Sequence, residues 1–465
     1  MSLHRRTLRG VFAALVVVST ATLVFGYVEA ERSGDQVTGD PAVERAFRTG
    51  DRSPVVAPRD RITVVATDSN AFLSDENDSP RAQAELAAFA PNGSIYYYEN
   101  DHTRYWDVDP VPGTATTVEY VYADHLTAEE CHSESVCTRN GVERVNLTTG
   151  ERTEIYSRIT PGKHSTRWHD VDRIDEHRLL VADIAQDRIF VVNTTTELVQ
   201  WEWDAQADYN VSSGGPYPED WTHINDVEHV EIDGREAAMV SVRNHDQVAF
   251  IDYERGLMEN WTLGADDAHD TLYEQHNPDY IPPEDGGPAI LVADSESRRV
   301  VEYQRVDGEW NRSWTWTDQR LQWPRDADRL PNGHTLVTDS NGDRVLEVAE
   351  NGTVVWQSTV GFPYESERLG TGDESAGGQS AASLDLSSRS VARGDVSAGP
   401  LDAALPPKLV NSISYALPRW VGLLEGVALV VLLGSLLGWG ILEYRWQDRR
   451  VSVRSPVDLD TNDRT

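Results

Sequence analysis

The segment Trp168-His169-Asp170-Val171-Asp172 is one of four that place a titratable or cationic side chain just ahead of acidic and apolar residues. The other three are Trp221-Thr222-His223-Ile224-Asn225-Asp226, Gln275-His276-Asn277-Pro278-Asp279 and Trp323-Pro324-Arg325-Asp326-Ala327-Asp328. Their lead residues, His169, His223, His276 and Arg325, are 54, 53 and 49 positions apart. A repeat of this length, built of short strands, is typical of β-propeller blades. Equivalent positions of successive blades lie at equal distances from one axis, so the pattern predicts a central site lined by imidazole and guanidinium groups.

The region around these segments has the composition of short strands joined by turns. From about residue 61 to residue 364, β-rich runs alternate with Gly, Asn, Asp and Pro, and helical periodicity is nearly absent. The predicted blades are 84–125, 131–165, 168–203, 221–263, 275–316 and 324–357. A strand at 61–67 is expected to complete the last blade and close the ring. The sequence therefore predicts an all-β fold, a six-bladed β-propeller, in which the terminal Trp of each clear blade packs between blades.

Two apolar runs flank the propeller region and predict membrane-spanning helices at both ends. The predicted parts are a basic tip (1–9), a signal anchor or signal peptide (10–27), a polar stalk (28–60), the propeller (61–364), a flexible linker (365–418), a transmembrane helix (419–446) and a tail (447–465). Arginines lie on the outer side of both apolar runs, so the positive-inside rule predicts cytoplasmic tips and a propeller on the extracellular side of the cell membrane. Cleavage or retention of the first run remains open.

The charge of the chain is strongly negative and evenly spread. It has 77 acidic and 41 basic residues, a net charge of −36, and Lys163 and Lys408 are its lysines. Self-repulsion of this size is screened by molar salt, in which the Debye length is about 3 Å. We interpret the composition as adaptation to a hypersaline medium, as in halophilic archaea. Because there is no basic stripe, nucleic acid is excluded as a partner.

Two further features indicate exposure of the middle region to the outside. Cys131 and Cys137 are expected to form a short loop-closing disulfide, with free thiols or part of a metal site as alternatives. Eight Asn-x-Ser/Thr sites are potential glycosylation acceptors. They are Asn77, Asn92, Asn146, Asn193, Asn210, Asn260, Asn311 and Asn351.

The candidate site consists of His169, His223 and His276, with Arg325 at the corresponding place in the next blade and Arg243 as a further member. Arg243 stands where other blades carry Asp183, Asp294 and Asp339. Three histidines are able to bind Zn²⁺, but two nearby guanidinium groups would repel a cation. Neutral imidazoles with fixed arginines suit a tetrahedral oxyanion such as sulfate or phosphate. No metal and no cofactor is therefore predicted at this site.

Three stretches resemble the nucleotide-independent arylsulfotransferase family. They are Asp220-Trp221-Thr222-His223-Ile224-Asn225-Asp226-Val227, Ser241-Val242-Arg243-Asn244-His245-Asp246-Gln247-Val248-Ala249-Phe250-Ile251-Asp252 and Gln275-His276-Asn277. The order of His169, His223, Arg243 and His276 is similar to that family's active-site order, and the likeness covers about residues 160–360. The resemblance implies the six-bladed propeller fold of the family. With the apolar runs and the acidic composition, we expect a membrane-anchored, haloarchaeal member, although anchoring at both ends is unlike a free periplasmic enzyme.

By this resemblance the reaction is ping-pong transfer of a sulfuryl group from an aryl sulfate to a phenolic acceptor. His276 would carry the sulfuryl group, whereas His169, His223 and Arg243 would bind and polarise the sulfate oxygens. Arg325 is added as a substrate-binding residue from the repeat alone. Two alternatives remain: a non-catalytic surface propeller that binds an anion, a glycan or a protein, and a quinoprotein-type dehydrogenase.

Overall fold

The computed structural model describes residues 2–33, 41–69, 84–162, 166–318, 320–389, 406–416 and 420–446. The chain forms two compact units, Gly34–Arg419 and a second unit of Met1–Ser33 with Trp420–Thr465. The predicted acceptor Asn77, residues 34–40 of the predicted stalk, residues 390–405 of the predicted linker and the tail at 447–465 lie outside the described residues.

The larger unit is a six-bladed β-propeller of antiparallel sheets, as the sequence predicts. Blade 1 contains, from the innermost strand outward, β25 (Pro363–Arg368), β1 (Thr63–Thr67), β2 (Leu86–Phe89) and β3 (Ile95–Glu99). Blade 2 contains β4 (Arg104–Pro110), β5 (Thr117–Leu126), β6 (Cys137–Asn146) and β7 (Glu151–Pro161), and blade 3 contains β8 (Trp168–Arg173), β9 (Arg178–Asp183), β10 (Arg188–Asn193) and β11 (Leu198–Asp204).

The remaining blades follow in chain order. Blade 4 contains β12 (Ile224–Ile232), β13 (Arg235–Val242), β14 (Gln247–Asp252) and two short strands paired with β14, β15 (Gly256–Leu257) and β16 (Leu263–Gly264). Blade 5 contains β17 (His276–Ile281), β18 (Ala289–Asp294), β19 (Arg299–Val306) and β20 (Glu309–Trp316), and blade 6 contains β21 (Pro324–Arg329), β22 (Thr335–Asp339), β23 (Arg344–Val348) and β24 (Val354–Thr359). The four blades with clear repeats lie where the sequence places them.

The ring is closed in blade 1, where strands from both ends of the region meet. Strand β1 pairs with β25 on one side and β2 on the other, so 61–67 closes the ring as predicted, but it does so in blade 1 and not by completing the last blade. The predicted limits of the two weaker blades, 84–125 and 131–165, are wrong. Residues 63–99 with 363–368 form one blade and 104–161 the next. The connection between these blades, residues 100–103, is as short as a hairpin turn, which hides the boundary in the sequence.

Hydrophobic clusters between neighbouring blades form the core. One cluster joins β12–β14 of blade 4 to β17–β19 of blade 5 through Phe250, Tyr280 and Val301. The outer-strand residues Trp314 and Trp356 are almost fully buried, so the predicted packing role of these side chains is confirmed. The inner strands β17, β21 and β25 are buried over their whole length, which explains why their sequences do not alternate simply between apolar and polar residues.

The segment predicted as a stalk is partly packed on the propeller, which corrects that prediction. Helix α1 (Ser2–Ser33) extends beyond the apolar run, and helix α2 (Pro41–Thr49) follows. Val43 of α2 is buried, and Phe47 lies edge-on to Tyr97 of β3 with their ring centroids 5.8 Å apart. One apolar helix face is enough to attach a segment that otherwise looks polar.

The predicted linker is also corrected, because much of it belongs to the propeller unit. Residues 363–368 form β25, and residues up to 389 lie against blades 5 and 6. Small residues permit this approach: a Cβ atom on Gly378 would lie 1.8 Å from the carbonyl oxygen of Arg329. Helix α3 (Pro407–Ala416) follows, and its residue Asn411 is hydrogen-bonded to Glu296 at 2.9 Å.

The smaller unit contains α1 and α4 (Leu423–Trp446), which pack against each other. Phe12 stacks on Trp439 with ring centroids 6.4 Å apart, and Arg9 forms an ion pair with Glu443. The stretches Arg5–Glu29 and Leu424–Trp446 are long and apolar enough to cross a membrane.

The propeller unit contains a disulfide and most of the potential glycan acceptors. Cys131 and Cys137 form a disulfide that closes the loop between β5 and β6, with a Cα–Cα distance of 6.1 Å. The seven acceptor asparagines within the described residues are all exposed or half-buried. Their modification stays a prediction.

Candidate functional site

Each innermost strand carries a β-bulge at, or one residue before, the same level of the propeller. At these points the register with the second strand shifts by one residue, so one residue of the inner strand has no partner of its own. The bulges contain Tyr364, Trp106, His169, Asn225, Asn277 and Arg325. Bulges re-aim side chains, and here they let adjacent residues of one strand approach the axis.

A ring of hydrogen bonds fixes which residues are equivalent. A carboxylate of one blade accepts the backbone N–H of the next: Glu365 from Val108 at 3.1 Å, Asp107 from Val171 at 3.1 Å, Asp170 from Val227 at 2.6 Å and Asp326 from Ser366 at 3.1 Å. We call the residues at this position the axial ring: Asp107, Asp170, Asp226, Asn277, Asp326 and Glu365.

The axial ring corrects one step of the repeat alignment. His169, His276 and Arg325 each precede a ring member directly, but the residue before Asp226 is Asn225. The prediction that His223 shares their template position is therefore wrong. His223 lies two residues earlier, in the loop before β12, with a left-handed φ of 47°. From this position its side chain still reaches the cavity that the other two histidines line.

All five predicted site residues line one cavity of about 350 Å³. We call this cavity the hub pocket; its predicted members are His169, His223, Arg243, His276 and Arg325. The rings of His169 and His223 are 5.3 Å apart, centroid to centroid. Three imidazoles and two guanidinium groups that are distant in sequence thus meet where the inner strands converge.

His276 is held by a serine that settles its tautomer. Ser295 Oγ lies 2.8 Å from His276 Nδ1 and donates its proton to the Pro324 carbonyl oxygen at 2.6 Å. Nδ1 must therefore carry the hydrogen that it shares with Ser295, which leaves the lone pair on Nε2. Burial lowers the pKa of His276 well below its ordinary value of 6.5, and the charges of Arg325 and Arg243 act in the same direction. The ring is thus a neutral imidazole with an available nitrogen.

His169 is fixed between two aromatic residues. Its ring stacks on Trp106 with centroids 4.1 Å apart, and Nδ1 lies 2.7 Å from the hydroxyl oxygen of Tyr364. Nε2 is buried and has no hydrogen-bond partner among the described residues. Burial and the charge of Arg167 lower the pKa of His169 well below 6.5. A neutral ring held this firmly presents one fixed polar nitrogen.

His223 differs from the other two histidines because a carboxylate supports it. Its Nδ1 lies 2.7 Å from Asp220 Oδ1, three residues earlier. Burial lowers the pKa of His223, whereas Asp220 opposes that shift. A carboxylate behind an imidazole orients the ring and stabilises the imidazolium form. His223 is therefore the histidine of the hub pocket best suited to carry a proton temporarily.

Arg325 is a buried guanidinium that faces the cavity. It lies over the ring of Trp323 at 4.1 Å and that of Tyr364 at 4.7 Å. Its Nε and Nη1 make no hydrogen bond within the described part of the chain, although Nη1 is 3.9 Å from Asp68 Oδ2. Planar stacking leaves the N–H groups of an arginine free to bind an oxyanion.

Arg243 belongs to a chain of charges that reaches the edge of the hub pocket. It follows β13 in a short 3₁₀ turn, Arg243–His245, and its Nη2 donates to Glu274 Oε2 at 2.5 Å. Glu274 also pairs with Lys408 of helix α3. Acidic residues thus offset part of the positive charge, while Arg243 is held in one orientation.

Sequence reasoning missed several residues of the hub pocket. Arg167, Asp220 and Lys408 were not singled out, and neither was the aromatic wall of Trp106 and Trp323. Asp220 is the first residue of a quoted motif, so its spacing from His223 was a usable signal. Lys408 had none, because its segment was assigned to a linker. Arg167 is buried, and burial with the charge of Arg104 lowers its pKa to about 10.

Below the hub pocket the axis is acidic. A second ring two residues further along the inner strands contains Asp109, Asp172, Glu228, Asp279, Asp328 and Glu367. Burial raises the pKa of Asp170 to about 8, and that of Asp326 to about 6. Desolvation disfavours every charge placed here, and the like charges of neighbouring carboxylates add to that effect.

Three groups of side chains have metal-ligand spacing within the described residues. They are Glu99 with His102 and Glu143, Asp107 with Asp170 and Glu365, and Asp279 with Asp326 and Asp328. Hydrogen bonds to Asp124 and Glu143 outweigh the desolvation of His102 and raise its pKa to about 9. A metal ion at this group would have to displace that proton. The other two groups consist of carboxylates alone.

Comparisons with known proteins identify no family. No family model and no curated protein matches the chain. Among solved structures, a protein of unknown function from Bacteroides caccae has 11% identity and a TM-score of 0.43, over 68% of this chain and 98% of that one. The periplasmic gluconolactonase PpgL of Pseudomonas aeruginosa has 14% identity and a TM-score of 0.41, over 67% and 99%. An inactive virginiamycin B lyase variant from Staphylococcus aureus has 9% identity and a TM-score of 0.38, over 65% and 85%.

Proposed function

We propose that this protein is an arylsulfotransferase-like enzyme that moves a sulfuryl group from a phenolic sulfate ester to an acceptor hydroxyl. The observation that carries the proposal is the convergence of His169, His223, His276, Arg243 and Arg325 on one buried cavity. Neutral imidazoles supply a nucleophile, and fixed guanidinium groups bind the sulfate oxygens. The resemblance of the motifs to the arylsulfotransferase family supports the same assignment.

In the first half-reaction His276 Nε2 attacks the sulfur atom of the donor. An N–S bond forms, the bond between sulfur and the phenolic oxygen breaks, and the departing phenolate takes a proton from His223. Asp220 stabilises the imidazolium form of His223 before this transfer, since their side chains are 2.7 Å apart. Arg243, Arg325 and His169 bind the sulfuryl oxygens, on which negative charge accumulates.

In the second half-reaction the acceptor hydroxyl attacks the sulfur of the sulfohistidine. His223, now neutral, takes the hydroxyl proton, the N–S bond breaks, and His276 returns to its neutral form. The same cavity serves both halves because donor and acceptor are both phenols. Trp106, Trp323 and Tyr415 line the cavity and offer flat apolar surfaces for a phenyl ring.

The nucleophile is tested by trapping the sulfurylated protein. The full-length protein is incubated with a chromogenic aryl sulfate in molar salt, and its intact mass is measured at neutral pH. The wild type is expected to gain one SO₃ group, and His276→Ala to gain none. His229→Gln is the control, because His229 lies outside the hub pocket and should not affect labelling. Labelling of His276→Ala at the wild-type rate would reject this nucleophile.

A non-catalytic propeller that binds an anionic ligand or a glycan is the second candidate. It is favoured by the acidic groups of the hub pocket, Asp68, Asp220, Glu274 and Glu296, which suit a ligand with hydroxyl donors as well as an anion. The two candidates are separated by turnover: sulfate bound without release of phenol from any aryl sulfate supports the binding function.

We also propose that the propeller faces the extracellular side of the cell membrane. The terminal apolar helices, the arginines on their outer sides and the Cys131–Cys137 disulfide support this orientation. Protease added to intact cells should remove the propeller unit; full protection in intact cells, with cleavage after lysis, would place it inside.

A further inference from the structure

The hydrogen-bond ring around the axis is interrupted at two consecutive positions, Asp226 and Asn277. In four blades a carboxylate of the axial ring accepts the N–H of a residue in the next blade. The register of the ring puts Pro278 at the position that would donate to Asp226, and proline has no N–H to donate. Asp226 Oδ2 is accordingly buried without a hydrogen-bond partner among the described residues.

A second orphaned oxygen lies beside this break. Asn277 is 6% exposed, and its Nδ2 donates to Glu365 Oε2 at 2.9 Å, which places the amide within the axial ring. Its Oδ1 has no partner in the described structure. A buried oxygen acceptor without a donor costs free energy, unless a water, a proton or a cation occupies the space in front of it.

Three carboxylates at the same level have the spacing of a cation site. Asp107, Asp170 and Glu365 come from blades 2, 3 and 1, and one oxygen of each lies within 4.8 Å of the others. Oxygens that bind one Ca²⁺ ion at about 2.5 Å are at most about 5 Å apart. Each carboxylate is also held by a backbone N–H, so the three are oriented before any ion binds.

We propose that a Ca²⁺ ion binds on the propeller axis between Asp107, Asp170 and Glu365, with the amide oxygen of Asn277 as a further ligand. Carboxylate and amide oxygens are the ligands that Ca²⁺ takes, whereas Zn²⁺ prefers nitrogen or sulfur, which this group lacks. The ion would offset the repulsion of the ring and join four blades, including the closing strand β25. It lies one residue along the strands from Trp106, His169, His276 and Tyr364, so it also fixes the base of the hub pocket.

The experiment uses the full-length protein and does not depend on sulfuryl transfer. After treatment with a chelator and dialysis, Tb³⁺ is added as a luminescent substitute for Ca²⁺, with Trp106, adjacent to Asp107, as sensitiser. We expect about one bound ion per chain, displacement by Ca²⁺, and a Tm that Ca²⁺ raises but equal ionic strength of NaCl does not. Asp170→Asn and Asn277→Leu should each weaken binding on the order of tenfold or more.

Asp172→Asn is the matched control. Asp172 lies two residues from Asp170 on the same strand and accepts the backbone N–H of His229, as Asp170 accepts that of Val227. This variant should retain the bound ion. An equal loss of Tb³⁺ affinity in Asp172→Asn and Asp170→Asn would show that many acidic residues attract the ion diffusely, which contradicts a specific site. If the wild type binds no Tb³⁺ and Ca²⁺ does not change its Tm, the proposed site is wrong. If Asp170→Asn fails to fold, the wild-type titration still decides.

Discussion

The hub pocket and the axial ring are neighbouring levels of one axis with opposite chemistry. His169 and Asp170 are consecutive residues, as are His276 and Asn277, and Arg325 and Asp326. Burial lowers the pKa of His169 and raises that of Asp170 to about 8, so it drives bases and acids alike toward their neutral forms. The effect of burial on the pKa values therefore does not by itself distinguish the hub pocket from the axial ring. The hub pocket contains guanidinium groups that suit an oxyanion, whereas the axial ring has no positive residue of its own.

The largest expected effect is on the rate of sulfuryl transfer in the hub pocket, and its size should depend on the leaving group. No such effect is expected from the axial ring. His223→Gln removes the proton donor, so transfer from donors with poorly acidic phenols should slow on the order of 10²–10⁴-fold. Donors with strongly acidic phenols, which leave without a proton, should be affected far less. Steady-state rates over a series of substituted phenyl sulfates measure this difference.

The terbium titration of His223→Gln provides the control, since the axial ring should be unchanged in this variant. An equal loss of rate for all leaving groups would contradict the role of His223 as proton donor. It would indicate that the imidazole of His223 only positions the aryl sulfate.

An intermediate effect is expected for substrate binding. Arg325→Gln removes a guanidinium that is stacked at 4.1 Å from Trp323 and whose Nε and Nη1 make no hydrogen bond with the described residues. A lost charge-assisted hydrogen bond of roughly 1.5–3 kcal/mol corresponds to about a tenfold to a hundredfold weaker binding of aryl sulfate. Inhibition by inorganic sulfate measures this affinity directly. Arg305→Gln, on the outer face over Trp261, should change nothing; unchanged affinity in Arg325→Gln would remove this residue from the site.

The smallest expected effect concerns stability and belongs to the axial ring. Burial and the charge of Asp170 raise the pKa of Asp226 well above its ordinary value of 3.8. The protonated Asp226 carboxyl therefore contributes its full share to the free energy of unfolding below pH 3.8. This contribution is lost as the pH rises through the raised pKa. Asp226→Asn cannot ionise, so in calcium-free buffer its Tm should exceed that of the wild type by about 2 °C or more at high pH and by less at low pH.

Asp294→Asn is the contrasting variant for this measurement. Asp294 is buried too, but it has a cationic partner, because Arg299 lies 2.5 Å away. Its replacement should lower the Tm. If both variants change the Tm in the same direction, the difference between paired and repelled carboxylates does not govern stability in this propeller.

The sequence predicts the fold well where blades repeat and poorly where they do not. The four blades from 168 to 359 were placed correctly because each has a lead residue, a turn and an outer Trp. Blade 1 is assembled from both ends of the region, and no local pattern shows that Pro363–Arg368 pairs with Thr63–Thr67. Such long-range pairing depends on packing rather than on propensity.

The residues of the site were predictable as a set, but their positions were only partly so. His169, His276 and Arg325 share a register position that the repeat reveals. His223 was assigned to the same position because loops differ in length, and a two-residue shift in a loop leaves no periodic trace. Tyr415 and Lys408 reach the hub pocket from helix α3, which a composition of Gly, Ser, Ala and acidic residues upstream does not predict.

The closing strand β25 brings Tyr364 against His169 and Glu365 against Val108. It is the last propeller strand to be synthesised, so ribosome-bound chains that end before residue 363 lack one wall of the cavity and one side of the ring. The proposed activity would thus be acquired only after β25 has been synthesised, and a premature stop ahead of β25 would remove this wall of the cavity.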